Sequence, residues 1–297
     1  MNNILKTTKY KDKIVSLNEV CVHGHTYYDL FKMVLNDGMK YSAKIRNIND
    51  IHIAESLKYL SQMKDSAGII SNYYDVIKTK ENYILISKWI EGNHPDNSDK
   101  DILEKASFAL AQFNKDNTHT GPYTSMYMDS VKYNTIEELV DGETQPYLAN
   151  YKGTHSIKFL RSCLDKLKSG LGCLILEDIN IGNILIENTG RLNFIDTEYM
   201  TAGLNLYQFE HINLLKFDQE EWFNISKNAD KILITYFKTL GEPNKRASAQ
   251  TCGYYVLSIL RKLFFLQRQK KEIDYNEIDG QIEKAAAVDL YSNSDYK

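Results

Sequence analysis

Leu174-Ile-Leu-Glu-Asp178-Ile-Asn-Ile-Gly-Asn183-Ile-Leu-Ile186, followed past a Glu-Asn-Thr-Gly turn by Leu192-Asn-Phe-Ile-Asp196, is the stretch that decides the fold. Asp178 stands five positions before Asn183, and Asp196 thirteen positions beyond it. That spacing supplies a base for an attacking hydroxyl and two oxygen ligands for a divalent cation, the parts of a phosphoryl-transfer site. The same Asp-x-x-x-x-Asn pattern at Asp129 and Asn134 lacks apolar runs on both sides. Around Asp178 those runs, with a turn signal between them, spell a β-hairpin. The loop then leads into one strand and Asp196 ends the next, so the three side chains converge at one end of the hairpin.

The run from Leu174 to Tyr199 resembles the H-G-D-x-x-x-x-N and I-D-x-E signature of the aminoglycoside phosphotransferase and choline kinase superfamily of small-molecule kinases. The resemblance implies an α+β, bilobal protein-kinase-like fold. Its small, mostly antiparallel β lobe with one helix would cover residues 1–92, and its larger, mainly helical lobe residues 93–297. It makes Asp178 the catalytic base and Asn183 and Asp196 the Mg²⁺ ligands, with ATP as phosphoryl donor. One departure is plain: the family His and Gly are Leu176 and Glu177 here. In the family that His supports the loop by hydrogen bonds, whereas a Leu can anchor the loop only by packing beneath it.

The N-terminal third carries the cations such a site needs. Tyr41-Ser-Ala-Lys44-Ile-Arg46 is similar to the V-A-I-K strand whose Lys pairs the nucleotide phosphates. Period-two alternation puts Arg46 on the same face, and Lys44 is taken as the phosphate cation. A helix follows from Asp50, with Ile53, Leu57, Leu60 and Met63 at helical spacing. On the family pattern Glu55 of this helix pairs with Lys44; on propensity alone it is a solvated acid beside Lys58. The phosphate loop falls near Gly24, with His23 and His25 as exposed turn residues. Lys88-Trp-Ile-Glu-Gly92 resembles the hinge, where the Lys88 carbonyl and Ile90 amide contact adenine. Asn114 stands where many relatives have His.

Neither D-F-G nor A-P-E follows Asp196, which reads Asp196-Thr-Glu198-Tyr199, and this favours a small-molecule hydroxyl acceptor over a protein. An aminoglycoside or other antibiotic is the first acceptor expected. A metabolite of the choline, ethanolamine or homoserine kind is the alternative, and a catalytically weak, nucleotide-binding regulatory module is the alternative class. Two further helical faces are expected: Ile102, Ala106, Leu110 and Phe113, and Ile157, Leu160, Leu164 and Leu167.

The chain has 297 residues, a formal charge of −3 and 25% charged residues. That is long enough for two cores and gives no basic surface, so nucleic acid and anionic membranes are not expected partners. Cys21, Cys163, Cys173 and Cys252 lack C-x-x-C spacing and read as reduced thiols. With no apolar leader and no membrane-length run, a cytoplasmic location is expected.

Overall fold

In a computed structural model, residues 9–20, 30–70, 73–95, 100–125, 131–176, 181–210 and 227–292 are described. Along the chain come strands β1 (Ile14–Glu19), β2 (Leu30–Leu35) and β3 (Lys40–Asn47), helix α1 (Ile51–Leu60), and strands β4 (Tyr73–Lys78), β5 (Asn82–Lys88) and β6 (Gly92–Asn93). Then follow α2 (Lys100–Asp116), β7 (Tyr123–Thr124), β8 (Lys132–Tyr133), α3 (Ile136–Asn150), α4 (Ile157–Leu164) and β9 (Gly172–Leu176). The hairpin β10 (Ile184–Glu187) and β11 (Leu192–Phe194), strand β12 (Met200–Leu204), and helices α5 (Lys227–Leu240), α6 (Asn244–Arg268) and α7 (Tyr275–Ala286) complete the order. Two compact units result. One takes the described residues within 1–62, 69–94 and 184–200, the other those within 63–68, 95–183 and 201–297.

The first unit is built on an antiparallel sheet ordered β1-β2-β3-β5-β4. Alternation sorts its faces: Met33, Leu35, Tyr41, Ala43, Ile84 and Ile86 are buried together, with Tyr10 against them. Tyr10 is itself held by a 2.9 Å hydrogen bond from its hydroxyl to Asp75. The opposite parity of β3 carries Ser42, Lys44 and Arg46, and the Ser42 and Ser87 hydroxyls meet across β3 and β5 at 2.6 Å. Asn36-Asp37-Gly38 turns β2 into β3, with Gly38 at φ 79°, a conformation that favours glycine.

Asp50 caps α1, its carboxylate accepting from the His52 and Ile53 amides at 3.1 and 3.4 Å. The buried face of α1 carries Ile53 and Ser56, and the Ser56 hydroxyl accepts from the Met200 amide at 2.9 Å. The hairpin expected after Asn183 is present, with Ile184 opposite Phe194 and Ile186 opposite Leu192. Strand β6 adds to its edge, and a Cβ on Gly92 would meet the Ile186 oxygen at 2.5 Å, so only glycine allows that approach.

The second unit is helical around α6, whose Leu257, Leu260 and Leu263 are buried. Two expected faces rotate slightly. In α2, Leu103 is buried where Ile102 was expected, beside Ala106, Leu110 and Phe113. The helix from Ile157 turns Leu160, Cys163 and Leu164 inward and continues into a 3-10 turn over Asp165–Ser169 that buries Leu167, while Ile157 in its first turn is exposed.

Strand β9 is buried throughout and pairs with β12. Asn114, fully buried on α2, ties it down: its Nδ2 donates to the Leu174 oxygen at 2.8 Å, and its Oδ1 accepts from Gln208 Nε2 and the Tyr236 hydroxyl, each at 2.6 Å. Leu176, the last residue of β9, is buried at 2% exposure. No described helix is long and apolar enough to cross a membrane.

The N-terminus of α4 is joined to α7 through Asp279, which accepts from the Thr154 amide (2.7 Å), the Thr154 hydroxyl (2.6 Å) and the Tyr151 hydroxyl. Burial pushes the Asp279 carboxyl up, but the Thr154 and Tyr151 hydrogen bonds outweigh it and hold the group below its ordinary value. A depressed folded-state pKa stabilises above the unfolded value and loses that contribution as pH falls through the folded one. Asp279→Asn is therefore expected to cost about 2 kcal/mol at neutral pH. It should also flatten the loss of stability below about pH 4 relative to the parent, as read from denaturant midpoints along a pH series.

Candidate active site

Strand β3 delivers Lys44 and Arg46 to one face of the first unit, and the turn that follows β11 brings two carboxylates onto them. The Phe194 amide donates to the Ile69 oxygen at 2.7 Å, which fixes where β11 ends. Asp196 then takes φ 63°, a left-handed conformation open to Asp at some cost and concentrated at functional sites. Its carboxylate pairs with the Lys44 ammonium, and Arg46 Nη2 lies 3.8 Å from it. Glu198, two residues on, accepts from Arg46 Nη2, from Lys44 Nζ at 3.3 and 3.4 Å, and from the Tyr73 hydroxyl at 3.4 Å.

The cluster is graded from inside to outside. Arg46 and Glu198 are 2% and 1% exposed, whereas Lys44 is 15% and Asp196 28% exposed. Two buried charges are tolerated only as a well-bonded pair, so Arg46 and Glu198 form the closed end. Lys44 and Asp196 form the end that can meet a ligand. Burial and the adjacent Glu198 push the Asp196 carboxyl up to about 7 against the pull of Lys44. Burial opposes ionisation of Glu198 too, but its hydrogen bond with Asp196 and the charges of Lys44 and Arg46 hold it down at about 2. The Tyr73 hydroxyl is pushed well up, first by burial and then by Glu198, and stays protonated as a donor.

Among the residues expected from sequence, Lys44 and Asp196 are brought together. Glu55 lies half-buried on α1, and Asn183 closes the 3-10 turn Ile181–Asn183 directly before β10, also half-buried. Asp178 and Gly24 lie outside the described residues. Lys88 ends β5 opposite Tyr41, and the Trp89 amide donates to the Lys40 oxygen at 3.0 Å. Lys88 and Ile90 line a cavity of about 520 Å³ together with Gly38, Lys40, Glu91 and Asn193. Neither Lys44 nor Asp196 lines that cavity.

Sequence reasoning sought the partner of Lys44 on α1; the structure adds Glu198, which reaches the ammonium from the segment after Asp196. The signal was in the Asp196-Thr-Glu198 run, quoted for its likeness to I-D-x-E and given no role. Arg46, read only as a second cation of the same facing, proves to be the buried counter-ion that Glu198 needs.

No protein-family model matches the chain, and no curated protein does. Solved structures do. A thermostable mutant of an aminoglycoside phosphotransferase, in ternary complex with AMP-PNP and hygromycin B, aligns with a TM-score of 0.58 at 14% identity over 96% of this chain and 98% of that one. A choline kinase from Streptococcus pneumoniae aligns at 0.53 with 14% identity over 99% of each chain. An ethanolamine kinase from Plasmodium vivax aligns at 0.55 with 12% identity over 97% of this chain and 86% of that one. The chain has the α+β, protein-kinase-like fold of these small-molecule kinases.

Removing one member of the buried pair strands the other. Glu198→Gln is expected to lower stability by about 3 to 5 kcal/mol, because Arg46 loses its counter-charge in a desolvated position. The double variant Arg46→Met/Glu198→Gln should be more stable than Glu198→Gln alone in chemical denaturation, with a non-additive coupling above about 1 kcal/mol. Additive effects would show that the two groups do not depend on each other.

Proposed function

We propose that this protein is an ATP-dependent phosphotransferase that moves the γ-phosphoryl group to a hydroxyl of a small polar molecule. The observation that carries the reading is the pairing of Lys44 on β3 with Asp196 at the end of the β10–β11 hairpin, the two groups that a phosphoryl-transfer site needs beside the phosphates. Lys44 supplies a compact positive charge on a flexible stem, and Glu198, backed by buried Arg46, keeps it aimed. Asp178 accepts or orients the hydroxyl proton. The Lys88 carbonyl and Ile90 amide take the adenine, and Gly24 permits close approach of the phosphate loop. Asn183 and Asp196 would supply hard oxygen donors of the kind Mg²⁺ takes, and Asp196 is the more exposed acid of its cluster. When bound, Mg²⁺ neutralises charge on the β- and γ-phosphates. Positioning and electrostatics then account for most of the rate.

The neighbours in fold support a reading of the acceptor class. One is complexed with hygromycin B, and the others are named as choline and ethanolamine kinases. A hydroxyl on an amine-bearing molecule is the common chemistry, with aminoglycosides and other antibiotics first and amino-alcohol metabolites second. The test is ATP consumption and product mass with Mg²⁺ across aminoglycosides, other antibiotics, choline, ethanolamine and homoserine. ATP binding without transfer to any of them would favour a nucleotide-binding regulatory module.

With the true acceptor, Asp178→Asn is expected to lower kcat by about 10² or more while Mg-ATP still binds, since shape is kept and the proton acceptor is lost. Lys44→Met should raise KM for ATP and lower kcat together. Unchanged turnover in Asp178→Asn would overturn the assignment of the base, and unchanged constants in Lys44→Met would overturn that of the phosphate cation.

A further inference from the structure

Helices α4 and α6 bring together two cysteines that sequence spacing keeps apart. Cys163, near the end of α4, and Cys252, in the first half of α6, are 2% and 1% exposed, and their thiols lie close enough to interact. Lys166, on the 3-10 turn that continues α4, places its ammonium 3.0 Å from Cys252 Sγ. The backbones approach closely here: a Cβ on Gly253 would meet the Cys163 oxygen at 2.9 Å. In its thiol form Cys252 also reaches the Ala286 oxygen at 3.6 Å. None of these groups has a part in the reaction proposed above.

We propose that Cys163 and Cys252 are an oxidisable pair, closed by peroxide into a disulfide between α4 and α6. In the first step the Cys252 thiolate attacks one peroxide oxygen. The O–O bond breaks, leaving Cys252 as a sulfenic acid and releasing hydroxide. In the second, Cys163 sulfur attacks Cys252 sulfur; the S–S bond forms, the S–O bond breaks, and water leaves with the Cys163 proton. Two sulfurs are oxidised and one peroxide is reduced to water.

The electrostatics distinguish the roles of the two thiols. The Cys163 thiol, joined by the Lys166 ammonium, holds Cys252 down at about 6 in spite of its burial. The same interaction, with burial, pushes Cys163 up, which makes it the group that keeps its proton and resolves the sulfenic acid. Cys173, enclosed in β9, is pushed up by burial alone and is expected to stay unreacted.

The experiment treats the full-length protein with hydrogen peroxide, blocks remaining thiols under denaturing conditions, and maps peptides by mass spectrometry before and after dithiothreitol. The expected result is a loss of two hydrogens and a reducible link between the peptides carrying Cys163 and Cys252. In Lys166→Met the link should form about 10-fold more slowly, because less thiolate is present. A link through Cys21 or Cys173, oxygen added to Cys252 with no link, or an oxygen-retaining bond between Lys166 and Cys252 would overturn the proposal. The unsubstituted protein alone decides among these outcomes, so a variant that fails to fold leaves the result intact.

Discussion

The buried pair of Arg46 and Glu198 is the constraint around which the first unit is arranged. A guanidinium and a carboxylate almost without exposure are stable only if each finds the other and the remaining lone pairs are used. Glu198 spends its oxygens on Arg46, Lys44 and the Tyr73 hydroxyl. That requirement draws the segment after β11 against β3, while the Ser56 hydroxyl takes the Met200 amide and ties the same segment to α1. Asp196 is thereby carried into a left-handed backbone conformation with its carboxylate on Lys44. The strain at Asp196 and the placement of its carboxylate have one cause, the anchoring of the residues on either side.

Within the second unit a neutral hub does comparable work. Asn114 satisfies both ends of its amide inside the core, joining α2 to β9, to the 3-10 turn containing Gln208 and to α5 through Tyr236. Leu176 ends the strand, and its burial provides an apolar fixing point there. On α2 the Asn114 amide holds the strand by its backbone.

Lys44 illustrates how position along a strand and position in space divide the labour. Period-two alternation alone put Lys44 and Arg46 on one face, and nothing in the pattern ranked them. Burial ranks them: Arg46 is sealed beneath Glu198, and Lys44 is left at the more exposed end with Asp196. An always-charged, planar guanidinium suits the enclosed partner, while a compact, strongly hydrated ammonium suits the more exposed end.

What the amino-acid order alone determined is the set of local features with short periods. The β10–β11 hairpin, the Gly38 turn, the Asp50 cap and the alternation of β3 are written within a few residues each, because turn chemistry and side-chain alternation act over that range. Tertiary structure decided the partners of charges: Glu198 for Arg46 and Lys44, Asn114 for β9, and Cys252 for Cys163. Such pairings join residues far apart in the chain, and their energy comes from the shared loss of water around both members. No window of sequence contains that quantity, since it exists only once the two surfaces have closed.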